Sequence, residues 1–414
     1  MLDVWMRQGR GSPSCDSGRY RRMNGRSTPR VVIMTTSSLT LWAFFQSQIR
    51  HLAIDGFDVQ TICAPGKELE ECRANSGVLM HGVAMKRQMS PFSDLISQVL
   101  VWRLLRRLRP DIVHTHTPKA GLLGMIAASL AGVKVRIYTM NGLVLMTRRG
   151  WRRWLLTFTE TLACARATDV FCISHSLRKV AVDLGVCPAG KIRTLGYGSS
   201  HGVDLVKFNP EVRNAKDRVL IRRRYGIPQD ALLLAYIGRV IREKGIEELV
   251  LAWRTLREEF ADLRLLICGD FEAGDPVSPE TVTFLRSDGR VHLTGGFVSD
   301  MPAIYAAIDV GVMPSYREGF GNVAVECAAM KVPIVATRIP GCLDSVQDGV
   351  TGVLVEPHDW LALAQGLRYL LKDPELRRRL GEAGRQFAAA RFSERRVSEL
   401  LAAEYRRLLS VRHA

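Results

Sequence analysis

Val310-Gly-Val-Met-Pro-Ser-Tyr-Arg-Glu318-Gly-Phe-Gly-Asn-Val-Ala-Val-Glu326-Cys-Ala-Ala-Met330 is the stretch that decides how the chain is read. The apolar run up to Tyr316 reads as a strand, Gly319 and Gly321 as a tight turn, and 323–330 as a helix. Glycine lets backbone come close to a ligand. A helix start offers unpaired N–H groups and a positive dipole, which suit an anion such as a diphosphate. Glu318 and Glu326 carry the same sign as that anion, so they suit hydrogen bonds from sugar or ribose hydroxyls instead. Taken alone, a plain strand-to-helix connection with a solvated Glu fits the segment as well.

The same alternation runs along the chain. β-rich runs fall at 31–36, 58–63, 78–85, 111–116, 134–140 and 169–174, then at 231–238, 263–269, 290–294, 309–315, 333–337 and 352–355. Amphipathic stretches at 93–108, 119–131, 151–166, 245–260, 301–307, 359–372 and 374–390 separate them. This order predicts an α/β fold with two doubly wound, Rossmann-like domains and ligand loops at the carboxyl ends of the strands. Residues 1–30 lack an apolar leader segment and read as a disordered basic tail or a start placed too early. The expected domains are 31–205 and 206–390, with a polar, charged join near 200–230. Residues 391–414 read as a C-terminal helix, N-capped by Ser393 and able to pack back on the first domain.

Composition narrows the class. The 414 residues are 47% hydrophobic and 24% charged, as in a globular protein of two or three domains. The net charge of +17 is uneven: residues 1–200 hold 28 Lys/Arg against 12 Asp/Glu, while 201–414 hold 30 against 29. The first half is therefore expected to meet an anionic partner. The nine cysteines show no C-x-x-C spacing and read as reduced thiols of a cytosolic protein. No run reaches the roughly 18 apolar residues of a membrane-spanning helix. Nucleic acid is not an expected partner, because no recognition motif is present and the basic residues form no stripe with stacking aromatics.

Two further segments bear chemistry. In Ala235-Tyr-Ile-Gly-Arg-Val-Ile-Arg-Glu-Lys-Gly245 a strand ends at Gly238, and Arg239 and Lys244 follow just before a helix. Cations at a helix start oppose the dipole, so an anionic ligand explains them better than solvent does. In Asp111-Ile-Val-His-Thr-His-Thr-Pro-Lys-Ala-Gly121, alternation puts His114 and His116 on one face at a strand end. No third ligand stands at metal-binding spacing, and His114 reads as a satisfied structural histidine.

Together these elements resemble family 4 of the retaining glycosyltransferases, which have the GT-B fold, over about 31–409. Glu318 and Glu326 match that family's E-x7-E motif. Gly238, Arg239, Lys244 and Gly245 match its G-R…K-G segment. The likeness is to the bacterial capsule and exopolysaccharide branch, through Met89-Ser-Pro-Phe-Ser-Asp94, His114-Thr-His-Thr-Pro-Lys-Ala-Gly-Leu-Leu-Gly124, Gly198-Ser-Ser200, Gly269-Asp-Phe-Glu272 and Ile339-Pro-Gly341. The resemblance implies two Rossmann-like domains facing across a cleft. It implies transfer of a sugar, with retention, from a nucleoside-diphosphate donor, usually UDP-linked, to a lipid-linked or saccharide acceptor, here expected to be a hydroxyl of a polyprenyl-diphosphate-linked saccharide in capsule, exopolysaccharide or lipopolysaccharide synthesis. No metal or other cofactor is implied, and the chain has no D-x-D.

In residue terms the resemblance gives Arg239 and Lys244 the diphosphate, Glu318 the donor-sugar hydroxyls, and Glu326 the ribose. Gly238 and the backbone N–H groups of Phe320, Gly321, Asn322 and Val323 would face the donor, and His116 would stand near the reacting centre. The chain departs from the branch at Asn141 and His201, where His and Asn are usual. The architecture is shared by sugar-nucleotide 2-epimerases, which are the competing enzyme reading. A non-catalytic basic membrane- or nucleic-acid-binding protein is the competing reading from another class.

The basic half is the acceptor half of such a fold. Residues 97–109 mix cations with apolar residues at helical spacing, and Thr147-Arg-Arg-Gly-Trp-Arg-Arg-Trp-Leu-Leu156 sets Arg148, Arg149, Arg152 and Arg153 around Trp151 and Trp154. Arg beside Trp suits an anionic lipid interface. The expectation is a cytoplasmic protein, peripheral on the inner membrane, with Lys119 and Asn141 toward the acceptor. For 97–109 a packed helix with solvated Arg fits equally well.

Overall fold

The computed structural model describes residues 28–413 apart from 71–76, 87, 89, 214 and 297. The proposed tail at 1–27, Cys15, Cys72 and Met89 lie outside the described residues. Two parallel sheets form the frame. The first contains β1 (Arg30–Met34), β2 (Asp58–Cys63), β3 (Leu79–Gly82), β4 (Ile112–His116), β5 (Val135–Met140), β6 (Asp169–Cys172) and β7 (Ile192–Thr194), in the order β3-β2-β1-β4-β5-β6-β7. The second contains β8 (Leu232–Ile237), β9 (Leu263–Cys268), β10 (Val291–Leu293), β11 (Val310–Met313), β12 (Ile334–Thr337) and β13 (Gly352–Val355), in the order β10-β9-β8-β11-β12-β13. Central strands such as Val-Val-Ile-Met and Leu-Leu-Ala-Tyr are buried along their length, because helices cover both faces of each sheet.

The first sheet has seven strands where six runs were legible. β7 is only Ile-Arg-Thr, too short and polar to stand out. Helices Ser38–Phe44, Gln46–Ile54, His175–Asp183, Ala215–Arg224 and Pro279–Ser287 also escaped the periodicity. Ala215–Arg224 shows why. Its inner face carries Arg222, which is 0% exposed. That guanidinium donates to the carbonyls of Ala307, Pro228, Gln229 and Ala231 and to Asp309 Oδ2. A buried charge satisfied this fully packs like core but looks like surface in the sequence.

The chain passes from the first sheet to the second after β7 and comes back at its end. Val203 N–H donates to Phe392 O at 2.8 Å, and Glu394 N–H donates to Val203 O at 2.9 Å. Helix Glu394–His413 follows, with Ser393 Oγ accepting from Arg396 N–H at 3.4 Å. Leu401, Tyr405, Leu408 and Leu409 of this helix are buried in one cluster with Val31, Ile33, Ile112 and Ile137 of the first sheet. Tyr405 OH bonds to His114 Nδ1 at 2.6 Å, and His114 Nε2 bonds to Thr139 Oγ1 at 2.5 Å. Both ring nitrogens are thus used, and His114 is a structural tie between the sheet and the last helix. Tyr405→Phe leaves a buried ring nitrogen unpaired and is expected to cost about 1–3 kcal/mol in urea unfolding.

Candidate active site

In each sheet the strand order reverses once, between β1 and β4 and between β8 and β11. Crevices for ligands open at such points, beyond the strand carboxyl ends. In the second sheet the two loops that leave this point are 238–245 and 314–321. They are pressed together. Gly245 has φ 71°, and a Cβ there would stand 1.9 Å from Pro314 O, so only glycine fits. Tyr316 N–H donates to Glu243 O at 2.9 Å and completes the contact.

This contact gathers charge. Lys244 Nζ lies 2.5 Å from Glu318 Oε1, and Ser315 Oγ donates to the same oxygen at 2.7 Å. Arg239 lies 3.0 Å from Glu272 and 3.7 Å from Glu243. Glu243 also accepts from Arg317 Nη2 at 2.7 Å. Lys244 and Arg239 precede helix Ile246–Glu259, where the dipole disfavours them. The carboxylates offset this in the free protein. A diphosphate brings equivalent negative oxygens and can take over either cation.

Glu326 sits on helix Asn322–Ala329, whose N-cap is Gly321 at φ 80°. Tyr305 OH donates to its Oε2 at 2.6 Å. Burial pushes this carboxyl from 4.5 up to about 7, partly offset by the Tyr305 bond. Phe320 is buried against Phe392, with ring centroids 5.0 Å apart, and so anchors the turn. Gly238 and Val323 flank these loops; Gly238 N–H donates to Cys268 O at 2.9 Å.

The other residues singled out in the sequence lie on the first sheet's side. His116 ends β4 and is 1% exposed. Its ring lies between Phe45 and His114, with centroids 4.3 and 4.2 Å away. Neither ring nitrogen has a hydrogen-bond partner among the described residues. Burial, reinforced by His201, pushes its pKa down to about 3, so it is a neutral imidazole. It lines a cavity of about 30 Å³ with Gln48, Thr139 and Ser200. Asn141 touches the glutamate loop: a Cβ on Gly319 would stand 2.1 Å from Asn141 O. Lys119 is engaged elsewhere, bonded to Asp94 Oδ1 at 2.7 Å and Gln88 O at 2.5 Å. Arg148 is half-buried, and Arg149, Trp151, Arg152, Arg153 and Trp154 are exposed, none of them in the crevice contacts above.

The structure brings Lys244 and Glu318 into contact and sets both Arg239 and Arg317 on Glu243, the residue before Lys244. Sequence reasoning missed Ser315, Arg317, Glu243 and Tyr305. The first two stand inside the opening stretch, where a polar pair before Glu318 was the available signal. Tyr305 comes from helix Met301–Ala307, and nothing in the linear spacing points it at Glu326.

Two family models match the chain: "Glycosyl transferases group 1" over residues 217–387 and "Glycosyl transferase 4-like domain" over 40–198. The capsular polysaccharide biosynthesis glycosyltransferase CapM of Staphylococcus aureus is 34% identical over 88% of this chain and 93% of that protein. The chain belongs to the group 1 glycosyl transferases. Another relative of this glycosyltransferase is the Escherichia coli UDP-Gal:alpha-D-GlcNAc-diphosphoundecaprenol alpha-1,3-galactosyltransferase, 28% identical over 73% of this chain and 77% of that one. Anabaena HepE, solved in complex with UDP, superposes with a TM-score of 0.74 at 19% identity, covering 91% of this chain and 99% of HepE. The shared architecture is GT-B.

The Glu326 carboxyl has a sign that can be tested. Its folded pKa of about 7 lies above the ordinary 4.5, so folding favours the protonated form. That contribution is full below about pH 4.5 and is lost as pH rises through about 7. Glu326→Gln is expected to remove the fall in Tm across this window, read as Tm against pH for both proteins.

Proposed function

We propose that this glycosyltransferase moves a hexose from a UDP-linked donor, with retention, to a hydroxyl of a polyprenyl-diphosphate-linked saccharide in capsule or exopolysaccharide assembly. The observation that carries the reading is the contact between Lys244 and Glu318 where β8 and β11 deliver their loops. The UDP donor is supported by the name of the E. coli relative and by the UDP complex of HepE. The capsule setting is supported by CapM, and the lipid diphosphate by the E. coli relative.

Lys244 and Arg239 exchange carboxylates for the donor diphosphate and meet the charge that grows on the leaving group. Glu318, released from Lys244, accepts hydrogen bonds from donor-sugar hydroxyls. Glu326 keeps Tyr305 on one oxygen and takes a ribose hydroxyl. Backbone N–H groups at 320–323, with the helix dipole behind them, face the phosphates. His116, neutral and with both ring nitrogens unpartnered among the described residues, serves the reacting centre as a hydrogen-bonding group. The departing phosphate takes the acceptor proton, and the step runs without a metal.

The acceptor's lipid calls for a membrane surface. Phe92, Leu95, Ile96, Val99 and Leu100 are 88, 64, 63, 38 and 43% exposed, and they share one face of helix Pro91–Leu108 with Arg103, Arg106 and Arg107. The opposite face buries Val101 and Leu105. On helix Gly150–Arg166, Trp151, Trp154 and Phe158 are 69, 68 and 53% exposed beside Arg152 and Arg153. Helix Pro118–Leu130 packs against both of these helices. Among the described residues no helix is long and apolar enough to cross a membrane. Exposed apolar rows edged by Arg suit docking on an anionic leaflet, here the cytoplasmic face of the inner membrane.

Two measurements check this reading. UDP at 100 times its dissociation constant should add about 2.7 kcal/mol of stability, and should do so more than GDP or ADP at equal concentration. Lys244→Ala should stay folded and lose transfer by about 100- to 1,000-fold; full activity would remove Lys244 from the site. Separately, the protein should sediment with anionic vesicles at low salt. Leu95→Ser with Trp154→Ser should stay in the supernatant.

A further inference from the structure

Helix His175–Asp183 stands on the first sheet's side and starts at the boundary with the second. The first N–H groups of a helix have no partner within it. Ser174 Oγ accepts from Leu177 N–H at 3.2 Å. The N–H groups of His175 and Ser176 instead donate to Asp344, at 2.8 Å to Oδ1 and 3.1 Å to Oδ2. Asp344 lies 168 residues beyond Ser176, on the short helix Cys342–Ser345 of the other unit. The Ser176 hydroxyl donates to Asp344 Oδ2 and accepts from Gly341 N–H at 2.7 Å.

The same turn grips the glutamate loop. The Ser174 hydroxyl donates to Gly319 O at 2.8 Å. A Cβ on Gly319 would meet Asn141 O at 2.1 Å and Ile173 Cδ1 at 2.9 Å. The peptide that follows Glu318 is thus seated against one unit while its chain belongs to the other. A carboxylate that fills two N–H groups at a helix start is a directional, charge-assisted tie.

We infer that Asp344 is a positioning residue. It clasps the two units together through the start of helix His175–Asp183, and in doing so it sets the loop that presents Glu318. Its catalytic consequence rests on the glycosyltransferase reading above; the clasp itself does not. Among the described residues Asp344 bonds to the start of helix His175–Asp183 and not to Arg239 or Lys244, so its loss should weaken transfer more than nucleotide binding.

The test uses the full-length protein, Asp344→Ala and the milder Ser176→Ala. UDP affinity is read by calorimetry, kcat with a UDP-sugar, and unit separation by small-angle X-ray scattering. For Asp344→Ala we expect full UDP stoichiometry, a UDP affinity that changes less than kcat, a larger radius of gyration, and a fall in kcat of about tenfold or more. Ser176→Ala should move in the same direction by less. An unchanged kcat overturns the inference. So does a fall in kcat matched by an equal fall in UDP stoichiometry, which marks lost fold and not lost position. If the wild type neither binds UDP nor transfers sugar, the glycosyltransferase reading fails, and scattering alone then decides the clasp: an unchanged radius in Asp344→Ala rejects it.

Discussion

The ion pair between Lys244 and Glu318 is the interaction on which the site depends. It exists because β8 and β11 are neighbours although three helices and two strands separate them in the chain. Their loops must turn away from the sheet at one place, and Gly245 lets them touch there. A cation at a helix start and a largely buried carboxylate ahead of a glycine turn would each be unfavourable alone. Side by side they hold each other, and on the proposed reading a ligand with the charge of one and the hydroxyls for the other replaces that pairing.

The fold was largely legible because parallel sheets need buried, continuous apolar strands, and those stand out as short runs between helical stretches. What failed to show was structure built by polar groups. Helix Ala215–Arg224 hides Arg222 inside a cage of carbonyls, and helix His175–Asp183 is started by Ser174 and by Asp344 from far along the chain. Within the candidate site, Glu318, Glu326, Arg239 and Lys244 stand out in the sequence because glycine and charge concentrate around them. Their partnering was not. Which carboxylate meets which cation depends on loop contacts such as Gly245 against Pro314, and Tyr305 reaches Glu326 from another element. His114 and His116 share a pattern in sequence, yet one is fully bonded and the other is buried without a partner.

The uneven charge of the chain has two different origins in space. In the second half, cations and carboxylates are nearly equal in number and many pair with each other, Lys244 with Glu318 and Arg222 with Asp309 among them. In the first half, Arg103, Arg106, Arg107, Arg152 and Arg153 edge exposed apolar rows on two helices. A unit that neutralises itself suits a soluble nucleotide ligand. A unit that keeps its positive charge beside exposed Trp and Leu suits a lipid surface. On the proposed reading the crevice between them is where the two kinds of substrate meet.

A structure of the protein with UDP bound tests the central claim most directly. The account predicts Lys244 Nζ moved from Glu318 onto a phosphate oxygen, Arg239 moved from Glu272 toward the same diphosphate, and a Glu326 oxygen on the ribose. UDP seated elsewhere, or seated here with the Lys244–Glu318 pair intact, would contradict it.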